Sequence, residues 1–552
     1  MSKDKYDRQT RLWGEGQILI SASKLLCLNS DSLSSEILKN LILSGAGEVT
    51  LVDSVKISPD DLKSNFFIEA DDTGKLRSEI VLKNLLELNP DVKGNFINQS
   101  AHEFLFDEKN DFTKYDILIA SNLKKEEDEK VYEIAKKTGL RFVIVKNNGL
   151  FGYLRIYENY HGNMCLRLMD RPVTDYRLSC PWKELADFAE SFDLEKMELI
   201  EHKNVPYFII LLKALSIYRK NKKDEKANPK TREEKAEFKK IVEGFKLKIE
   251  KEEENGANDN IDEALSKIYY CNASYNDLTT DKLKYIFEVI EKTPQKDIFE
   301  KSNIYMKLFF LYFYSLKKFY EKHTSYPLCG IIPDMISNTA NFINLKKIYN
   351  TKAQNENKEM RELITSEIKE NKYLSDPDKK VLDSLVNNLN IDQIDIVDIL
   401  NKNWPQTSLF VYPDNTAEEE GKNLDVDLEE NFQKLNFVWY LLFRASEKFE
   451  KKNGRYPGEK VEDFKKDVPE LFGLLKAEYE KLSIKPDLGN ELNEDNAFEF
   501  CRMGKGDVPP IISILGSMTS QEIIKLITYE FETVNNTVIY DGINVTLSNI
   551  KI

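Results

Sequence analysis

The residues of this chain most suited to chemistry begin with a polar turn at residues 29–35, which reads NSDSLSS. An apolar run precedes the turn, an amphipathic segment follows it, and a second apolar run ends at Asp53, about 20 residues further on, as in a dinucleotide-type βαβ unit. Glycines normally let the backbone N–H groups of such a turn close on a phosphate at the helix N-terminus. This turn has no glycine, and Asp31 adds negative charge where phosphate would lie. The sequence predicts the scaffold of a nucleotide site without a working phosphate cradle.

Three other residues of this unit have side chains that bind nucleotides in intact sites. Asp53 would hold the ribose hydroxyls, but without phosphate contacts we expect a strand-end acid that no longer binds nucleotide. Lys75 and Arg77 follow in the next segment, and we predict that they are solvated or pair with Glu36 or Glu79. The chain therefore binds no nucleotide of its own in this interpretation.

The N-terminal segment Tyr6–Gly14, YDRQTRLWG, is a second candidate because it is dense in charged and aromatic residues. Arginine makes forked contacts with phosphate, so Arg8 or Arg11 could present a guanidinium to phosphates held by another subunit. The alternative is a capped helix with Trp13 as its hydrophobic anchor and both arginines solvated.

The cysteines offer little chemistry. They are scattered and form no CxxC pair, which argues against a zinc site or a disulfide framework and indicates a reducing compartment. Cys180, in LSCPW, is the nearest candidate for a nucleophile, but no base accompanies it in the sequence, and we interpret it as structural. The six cysteines are Cys27, Cys165, Cys180, Cys271, Cys329 and Cys501.

Composition narrows the class of protein. The chain has 552 residues, of which 41% are hydrophobic and 31% charged, and its net charge is −15. An acidic balance argues against nucleic acid as a partner, because neutralising phosphates needs a basic field. The longest apolar stretch, Tyr207–Ile217, is too short to span a bilayer, and the polar N-terminus shows no signal peptide. We expect a cytoplasmic protein, also present in the nucleus, with protein partners rather than a membrane.

The elements that must position these residues change style along the chain. Residues 1–165 alternate strand and helix, which predicts a mostly parallel, doubly wound α/β sheet. Residues 166–495 have helical periods, and residues 496–552 return to the first style with a helix over Ile511–Thr528 and a strand over Asn536–Tyr540. The simplest architecture is a Rossmann-like domain interrupted by a large, mostly helical insertion and completed by the C-terminal residues.

Inside the helical segment, local signals predict particular boundaries. Thr231–Glu234 forms a capping box at a helix start, and Tyr305–Leu316 forms an apolar helix core. Arg219–Lys230 and Lys251–Asn260 are charged and turn-prone, and we predict exposed loops there.

The predicted helix Ile511–Thr528 has small residues on one side. Such a face packs closely against its neighbours, and two interpretations fit equally: contact with both the sheet and a partner subunit, or an ordinary core helix. The small residues are Ser513, Gly516, Ser517 and Ser520.

Several motifs together resemble a known family. YDRQTRLWG, the segment SEILKNLILSGAG that precedes Asp53, and TGKLRSE resemble the ThiF/MoeB-type adenylation domain of enzymes that activate ubiquitin-like proteins. GIIPDMISNTANFINLKKIY at 330–349, FRASEKFEKKNGRYPG at 443–458, FCRMG at 500–504 and the closing ILGSMTSQEIIKLIT and NNTVIYDG resemble one branch. That branch comprises the regulatory subunits of NEDD-type (Rub) modifier-activating enzymes, the amyloid-precursor-protein-binding protein family. The resemblance covers nearly the whole chain.

The resemblance implies a non-catalytic half of an obligate heterodimer. Active halves carry a GxGGxG loop, an Asn-Arg-Gln triplet and a thioester-forming cysteine, whereas this chain has Asn29–Ser35, Lys63-Ser64-Asn65 and no cysteine in such a context. Residues 1–165 would be an inactive adenylation domain, residues 166–495 an insertion resembling the catalytic-cysteine domain without its cysteine, and 496–552 the completion. We also expect no metal site and no ubiquitin-fold domain after residue 552.

The resemblance also implies where the chemistry takes place. ATP and Mg²⁺ would bind at the catalytic partner, and this chain would hold no cofactor. In similar two-subunit enzymes the arginine of the YDRQ motif crosses the interface toward the partner's ATP, and the matching residue is Arg8. The implied partners are the catalytic subunit, a NEDD-type modifier and, indirectly, a conjugating enzyme.

Three alternatives remain at this point. The first is the non-catalytic subunit of the SUMO-activating enzyme, which resembles only the nucleotide-fold part. The second is a self-sufficient nucleotide enzyme, either an adenylating homodimer or a dinucleotide oxidoreductase, which needs the missing phosphate cradle. The third is a pure scaffold in which Arg8 is dispensable.

Overall fold

In a computed structural model of the chain, the described residues are 5–164, 175–248, 256–271, 280–387, 395–412, 431–482 and 485–551. The chain divides into two compact units. The first contains Met1–Arg167, Lys296–Lys307 and Leu409–Ile552, and the second contains Leu168–Gln295 and Leu308–Ser408. This division differs from the segments predicted from the sequence, because residues 296–307 and 409–495 lie in the first unit and not with the rest of the predicted insertion.

The sheet of the first unit has a parallel part and an antiparallel part. Within the described residues it has eight strands in the order β10-β9-β6-β5-β4-β1-β2-β3. The five neighbouring strands β3-β2-β1-β4-β5 pair in parallel. The pairs β5–β6, β6–β9 and β9–β10 are antiparallel. A separate pair joins β7 and β8. The strands are β1 (Lys24–Leu28), β2 (Glu48–Val52), β3 (Lys93–Ile97), β4 (Ile117–Ser121), β5 (Arg141–Asn148), β6 (Phe151–Tyr157), β7 (Tyr160–Asn163), β8 (Ser408–Val411), β9 (Thr537–Asp541) and β10 (Thr546–Ile550).

The helices match the predicted alternation in residues 1–165 and the predicted helical character of the middle. They are α1 (Asp7–Trp13), α2 (Gly16–Ala22), α3 (Ser32–Leu43), α4 (Arg77–Leu86), α5 (Ala101–Phe106), α6 (Lys125–Thr138), α7 (Lys183–Glu190), α8 (Leu199–His202), α9 (Tyr207–Lys222), α10 (Arg232–Glu243), α11 (Asp259–Ser266), α12 (Asp281–Lys292), α13 (Gln295–Lys301), α14 (Ile304–His323), α15 (Thr339–Glu370), α16 (Asp376–Asn387), α17 (Ile396–Asn403), α18 (Asn431–Asn453), α19 (Phe464–Lys481), α20 (Glu494–Met503) and α21 (Pro509–Thr528).

The strand order places a topological switch between β1 and β4. Both strands pair in parallel, β2 and β3 lie on one side of β1, and β5 lies on the far side of β4. In open α/β sheets, ligands bind in the crevice at the carboxyl ends of strands at such a point. The turn after β1 and the residues after β4 therefore define the candidate site. The predicted fold class, an α/β doubly wound Rossmann-like domain, is confirmed, although the sheet is mixed.

Helix α21 packs on β5 and β6 and against α2 and α3. The close approach to α3 depends on Gly516, since a Cβ there would lie 2.7 Å from the Cβ of Glu36. Most of the helix is buried, while Ile514 is 38% exposed and Ser517 is also exposed. The small-residue side thus has α3 as one neighbour, and contact of the exposed stripe with a partner subunit stays a prediction.

Helices α18, α19 and α20 complete the core of the first unit. Trp439 of α18 stacks on Phe151 of β6 with ring centroids 4.1 Å apart, and its indole N–H donates to Asp541 at 3.0 Å. The GRYPG and FCRMG motifs meet here, because a Cβ at Gly458 would lie 1.8 Å from the Cys501 carbonyl oxygen. Two motifs that are distant in sequence therefore form one packed contact.

The described core of the second unit is mostly helical. Helix α9 is buried along Tyr207–Leu212 and packs against α7, α10 and α11. The predicted capping box is confirmed, since Thr231 and Glu234 cap each other's backbone N–H groups at the start of α10. The predicted loop at residue 219 begins later, because α9 continues to Lys222; of the other predicted loop, residues 251–255 lie outside the described residues. Among the helices that the structure describes, none has both the length and the apolar character that a membrane span needs.

Candidate functional site

The turn after β1 contains no glycine, and its own side chains close it. Asn29 adopts φ +79°, a left-handed conformation that glycine takes at little cost and that asparagine tolerates better than most residues. Its side-chain oxygen accepts from the Ser30 N–H at 2.9 Å, which closes the turn on itself. Ser30, Ser34 and Ser35 are buried, so side chains occupy space that an open cradle would leave free.

A buried arginine occupies the centre of this site. Arg77, at the first position of α4, is 8% exposed and contacts both Asp53 and Asp61. Its Nε donates to Asp53 Oδ2 at 3.0 Å, one terminal nitrogen lies 2.7 Å from Asp61 Oδ1, and the other donates to Asn29 Oδ1 at 2.6 Å. Ser30 also donates its hydroxyl to Asp53. The acid that would hold ribose is thus bonded within the chain.

The electrostatics of the site favour the charged forms of Arg77 and Asp61. Burial lowers the pKa of Arg77, but the carboxylates of Asp53, Asp61 and Asp31 outweigh it and leave the pKa raised. Burial raises the pKa of Asp61, but hydrogen bonds from Ser58 and the Arg77 guanidinium lower it by more. The net shift of the Asp61 pKa is downward. Removing one partner of a buried, hydrogen-bonded ion pair typically costs about 3–5 kcal/mol.

Two carboxylates occupy the N-terminus of α3, where a phosphate would bind. Asp31 caps the helix by accepting from the Ser34 N–H at 2.8 Å, and it also accepts from Ser121 at the end of β4 and from Asn122 after it. Asp507 accepts from the hydroxyl of Ser32. The positive end of the helix dipole and its free N–H groups favour an anion there. The chain supplies that anion itself.

Asp507 also links the site to distant parts of the sequence. Asn147 of β5 donates to one carboxylate oxygen at 3.0 Å, and Ser64 donates to the other at 2.9 Å. Ser64 belongs to the triplet that replaces Asn-Arg-Gln; its neighbour Asn65 is buried and donates to Ser35 at 3.0 Å, while Lys63 is exposed and pairs with Asp60. The residues present do not fit a nucleoside triphosphate, because side chains that bond to one another within the chain lie where its phosphates would bind.

The prediction for Arg77 is wrong, and the one for Lys75 is correct in part. Arg77 is buried and pairs with the two acids described above rather than with Glu36 or Glu79. Glu36 pairs with Lys39 of its own helix. Lys75 is solvated, as predicted, and pairs with Asp72 at 2.8 Å. A basic residue at a helix start gives no sequence signal of its burial, which explains the error.

The N-terminal arm, Tyr6–Gly14, has exposed arginines, in contrast to the buried Arg77. Tyr6 is buried and accepts from Asn89 at 2.8 Å, and Trp13 is buried with its ring edge against Phe531, so both ends of α1 are anchored. Arg8 is exposed, and no carboxylate of the described residues lies within ion-pair distance of it. Arg11, one turn later, pairs with Asp7 at 2.8 Å.

Three of the described cysteines are poorly suited to act as nucleophiles. Cys27, Cys271 and Cys501 are buried, and burial raises the pKa of each thiol, which suppresses the nucleophilic thiolate. Cys180 is exposed, and its thiol has no hydrogen bond to any described residue; Cys165 lies outside the described residues. In the part of the chain that the structure describes, no cluster of His, Cys, Asp and Glu has the geometry of a metal site.

Comparison with known proteins gives the family of this chain. The ThiF family matches residues 6–552, so the chain belongs to the ThiF family. Its relatives include the Caenorhabditis elegans "NEDD8-activating enzyme E1 regulatory subunit", 31% identical over 98% of this chain and 97% of that protein. The Arabidopsis thaliana "NEDD8-activating enzyme E1 regulatory subunit AXR1" is 30% identical over 98% of this chain and 95% of that protein. The Gallus gallus "NEDD8-activating enzyme E1 regulatory subunit" is 28% identical over 100% of this chain and 98% of that protein. The resemblance to regulatory subunits of NEDD-type activating enzymes is confirmed.

Proposed function

We propose that this chain is the non-catalytic, obligate subunit of a heterodimeric enzyme that activates a NEDD8-type modifier with ATP. The observation that carries the proposal is the turn after β1, where Arg77, Asp31 and Asp507 occupy the position of a nucleotide with contacts made inside the chain. The relatives named above are regulatory subunits of NEDD8-activating enzymes, and this chain matches them over 97% and 95% of their length. A chain of this family with a filled nucleotide turn needs a partner that binds ATP.

The catalytic partner performs the covalent steps in this proposal. The C-terminal carboxylate of the modifier attacks the α-phosphate of ATP, the bond between the α- and β-phosphates breaks, and pyrophosphate leaves. A cysteine thiolate of the partner then displaces AMP and forms a thioester, which passes to a conjugating enzyme. ATP and Mg²⁺ belong to the partner, and the assembly works in the cytoplasm and nucleus.

Arg8 is the residue of this chain that reaches the chemistry. It lies on α1, which Tyr6 and Trp13 hold at either end, and its guanidinium makes no ion pair among the described residues. An unpaired guanidinium on an anchored helix can cross an interface without first losing an internal partner. At the partner's site it offsets charge on the β- and γ-phosphates, as arginines supplied in trans do in other phosphate chemistry.

Measurements on purified protein test the function. The chain is prepared alone and together with a cysteine-bearing ThiF-family subunit, and each preparation is titrated with ATP and assayed for modifier-dependent ATP–pyrophosphate exchange. We expect neither binding nor exchange by the chain alone, and both by the pair. ATP binding by the isolated chain would favour the self-sufficient adenylating enzyme, and NAD binding would favour the oxidoreductase.

The identity of the modifier needs its own arm of the experiment. The pair is assayed with NEDD8, SUMO and ubiquitin over the same series of concentrations, and we expect thioester formation with NEDD8 at the lowest concentration. Preference for SUMO would replace this proposal by the SUMO-activating alternative. A pair that is fully active when the chain lacks its first 14 residues would leave only a scaffold role.

A further inference from the structure

The second unit contains a polar cavity that the proposed function does not use. Its volume is about 350 Å³, and it lies between α15, α17 and the irregular segment Leu328–Gly330. Ligand sites in proteins typically have volumes of about 300–1,000 Å³. Its lining residues are Leu328, Cys329, Gly330, Asn350, Ala353, Gln354, Asn357, Asp398, Asn401 and Lys402.

One side chain of the cavity is buried with an unused polar atom. Asn401 of α17 is 3% exposed, and its side-chain oxygen accepts from the hydroxyl of Tyr312 at 2.9 Å. Its amide nitrogen has no hydrogen-bond partner among the described residues. Rotating the amide by 180° leaves the oxygen without a partner instead, so one polar atom stays unsatisfied either way. A buried polar atom in this state destabilises the fold unless a ligand or water forms a hydrogen bond with it.

The opposite wall carries a second set of unused polar groups. Gly330 has φ +75°, and a Cβ there would lie 2.8 Å from the Cβ of Ala353, so only glycine lets the chain pass this close to α15. Gly330 is buried, yet neither its N–H nor its carbonyl oxygen is hydrogen-bonded to any residue that the structure describes. Backbone groups in that state are complementary to the backbone of another chain.

The remaining lining groups make the cavity electrically neutral. Lys402 and Asp398 form an ion pair with each other, and Asn357 donates its amide to Asp398 at 2.9 Å. Asn350 and Gln354 are exposed carboxamides on the rim, each with both a donor and an acceptor. An anion would meet Asp398, a cation would meet Lys402, and an apolar ligand would leave Asn401 and Gly330 unsatisfied.

We propose that this cavity binds an extended, uncharged peptide segment of a partner protein through the peptide's backbone amides. A peptide backbone offers N–H donors and carbonyl acceptors in alternation, which is what the carboxamides of Asn401 and Gln354 and the backbone of Gly330 can satisfy together. Small side chains suit the volume, and the neutral lining selects against charged ones.

The probe is a capped peptide, acetyl-Gly-Ser-Ala-Ser-Gly-N-methylamide, added to the full-length chain. Binding is measured by saturation-transfer NMR, and the contacted segment by hydrogen exchange with mass spectrometry. We expect saturable transfer to the peptide and slower exchange in residues 328–332. Gln354→Leu should weaken binding at least about tenfold, the effect of losing roughly one good hydrogen bond. The matched control is Asn355→Leu, because Asn355 is the next residue of α15, is exposed and does not line the cavity.

The outcomes separate cleanly. A peptide in which esters replace the backbone amides should bind at least about tenfold more weakly, since it lacks the N–H donors. Absence of saturable transfer, absence of protection at residues 328–332, or equal losses in Gln354→Leu and Asn355→Leu would each overturn the proposal. Both variants change exposed residues, and their thermal unfolding is recorded to show that each folds.

Discussion

Two arginines of the first unit face opposite situations. Arg77 is buried in the nucleotide-type turn and bonds to Asp53, Asp61 and Asn29, whereas Arg8 is exposed on the N-terminal arm and pairs with none of the described carboxylates. A guanidinium can stabilise a phosphate only with donors that are not already used. The donors of Arg77 are therefore used inside the chain, whereas the Arg8 guanidinium makes no ion pair with any described residue.

The largest expected effect is on the buried arginine. Arg77→Met keeps most of the side-chain volume but leaves Asp53 and Asp61 without their cation, and the free energy of unfolding should fall by about 3–5 kcal/mol. Urea unfolding followed by circular dichroism measures this. Lys75→Met is the matched control, because Lys75 is two residues away and solvated, and its unfolding midpoint should not move detectably. Equal effects of the two substitutions would show that the buried cluster does not stabilise the fold.

The next effect concerns catalysis by the assembled pair. Arg8→Ala should lower the rate of modifier-dependent ATP–pyrophosphate exchange about 100-fold, the usual loss when one transition-state donor is removed. Arg11→Ala is the control, since Arg11 lies on the same helix and already pairs with Asp7. Size-exclusion chromatography should show both variants in the assembled pair. An unchanged exchange rate in Arg8→Ala would remove the arm from the chemistry and leave a scaffold.

A smaller effect is expected at the residue that replaces the glycine of the turn. Asn29→Ala forces an alanine into φ +79° and removes the oxygen that accepts from Arg77, so stability should fall by about 2 kcal/mol. Asn29→Gly removes the same oxygen but tolerates the conformation, and its loss should be about half as large. Thermal unfolding of both variants separates the cost of the backbone conformation from the cost of the lost hydrogen bond. If glycine costs as much as alanine, the backbone conformation contributes nothing.

The fold of the first unit could be predicted because its signals are local. Runs such as DILIAS and RFVIVK are long and apolar enough to predict buried strands, and they form β4 and β5. The turn after β1 was predictable in the same way, since the absence of glycine is visible in seven residues. What stayed hidden depends on pairing across the sequence: Asp507 reaches Ser32, and Arg77 reaches Asp53.

The division into units was hidden for a related reason. Helix α18 has an ordinary amphipathic pattern, and such a pattern does not tell which sheet or bundle covers its apolar face. In the structure α18 packs on β6, β9 and β10 of the first unit, with Trp439 against Phe151. Helical periods therefore predicted the element and not its neighbours.

The smallest expected effect tests whether charge alone closes the turn. In the double variant Asp31→Asn and Asp507→Asn, the cap of α3 is kept, because asparagine caps as well as aspartate, and stability should change by no more than about 1 kcal/mol. The carboxylates at the helix N-terminus are gone, yet Arg77 still holds Asp53, and the serine side chains still fill the turn.

We therefore expect no ATP binding by the isolated double variant in isothermal titration calorimetry. The pair with the catalytic subunit serves as the positive control for ATP. Measurable binding by the isolated variant would mean that repulsion by two carboxylates, rather than the packed side chains of the turn, excludes the nucleotide.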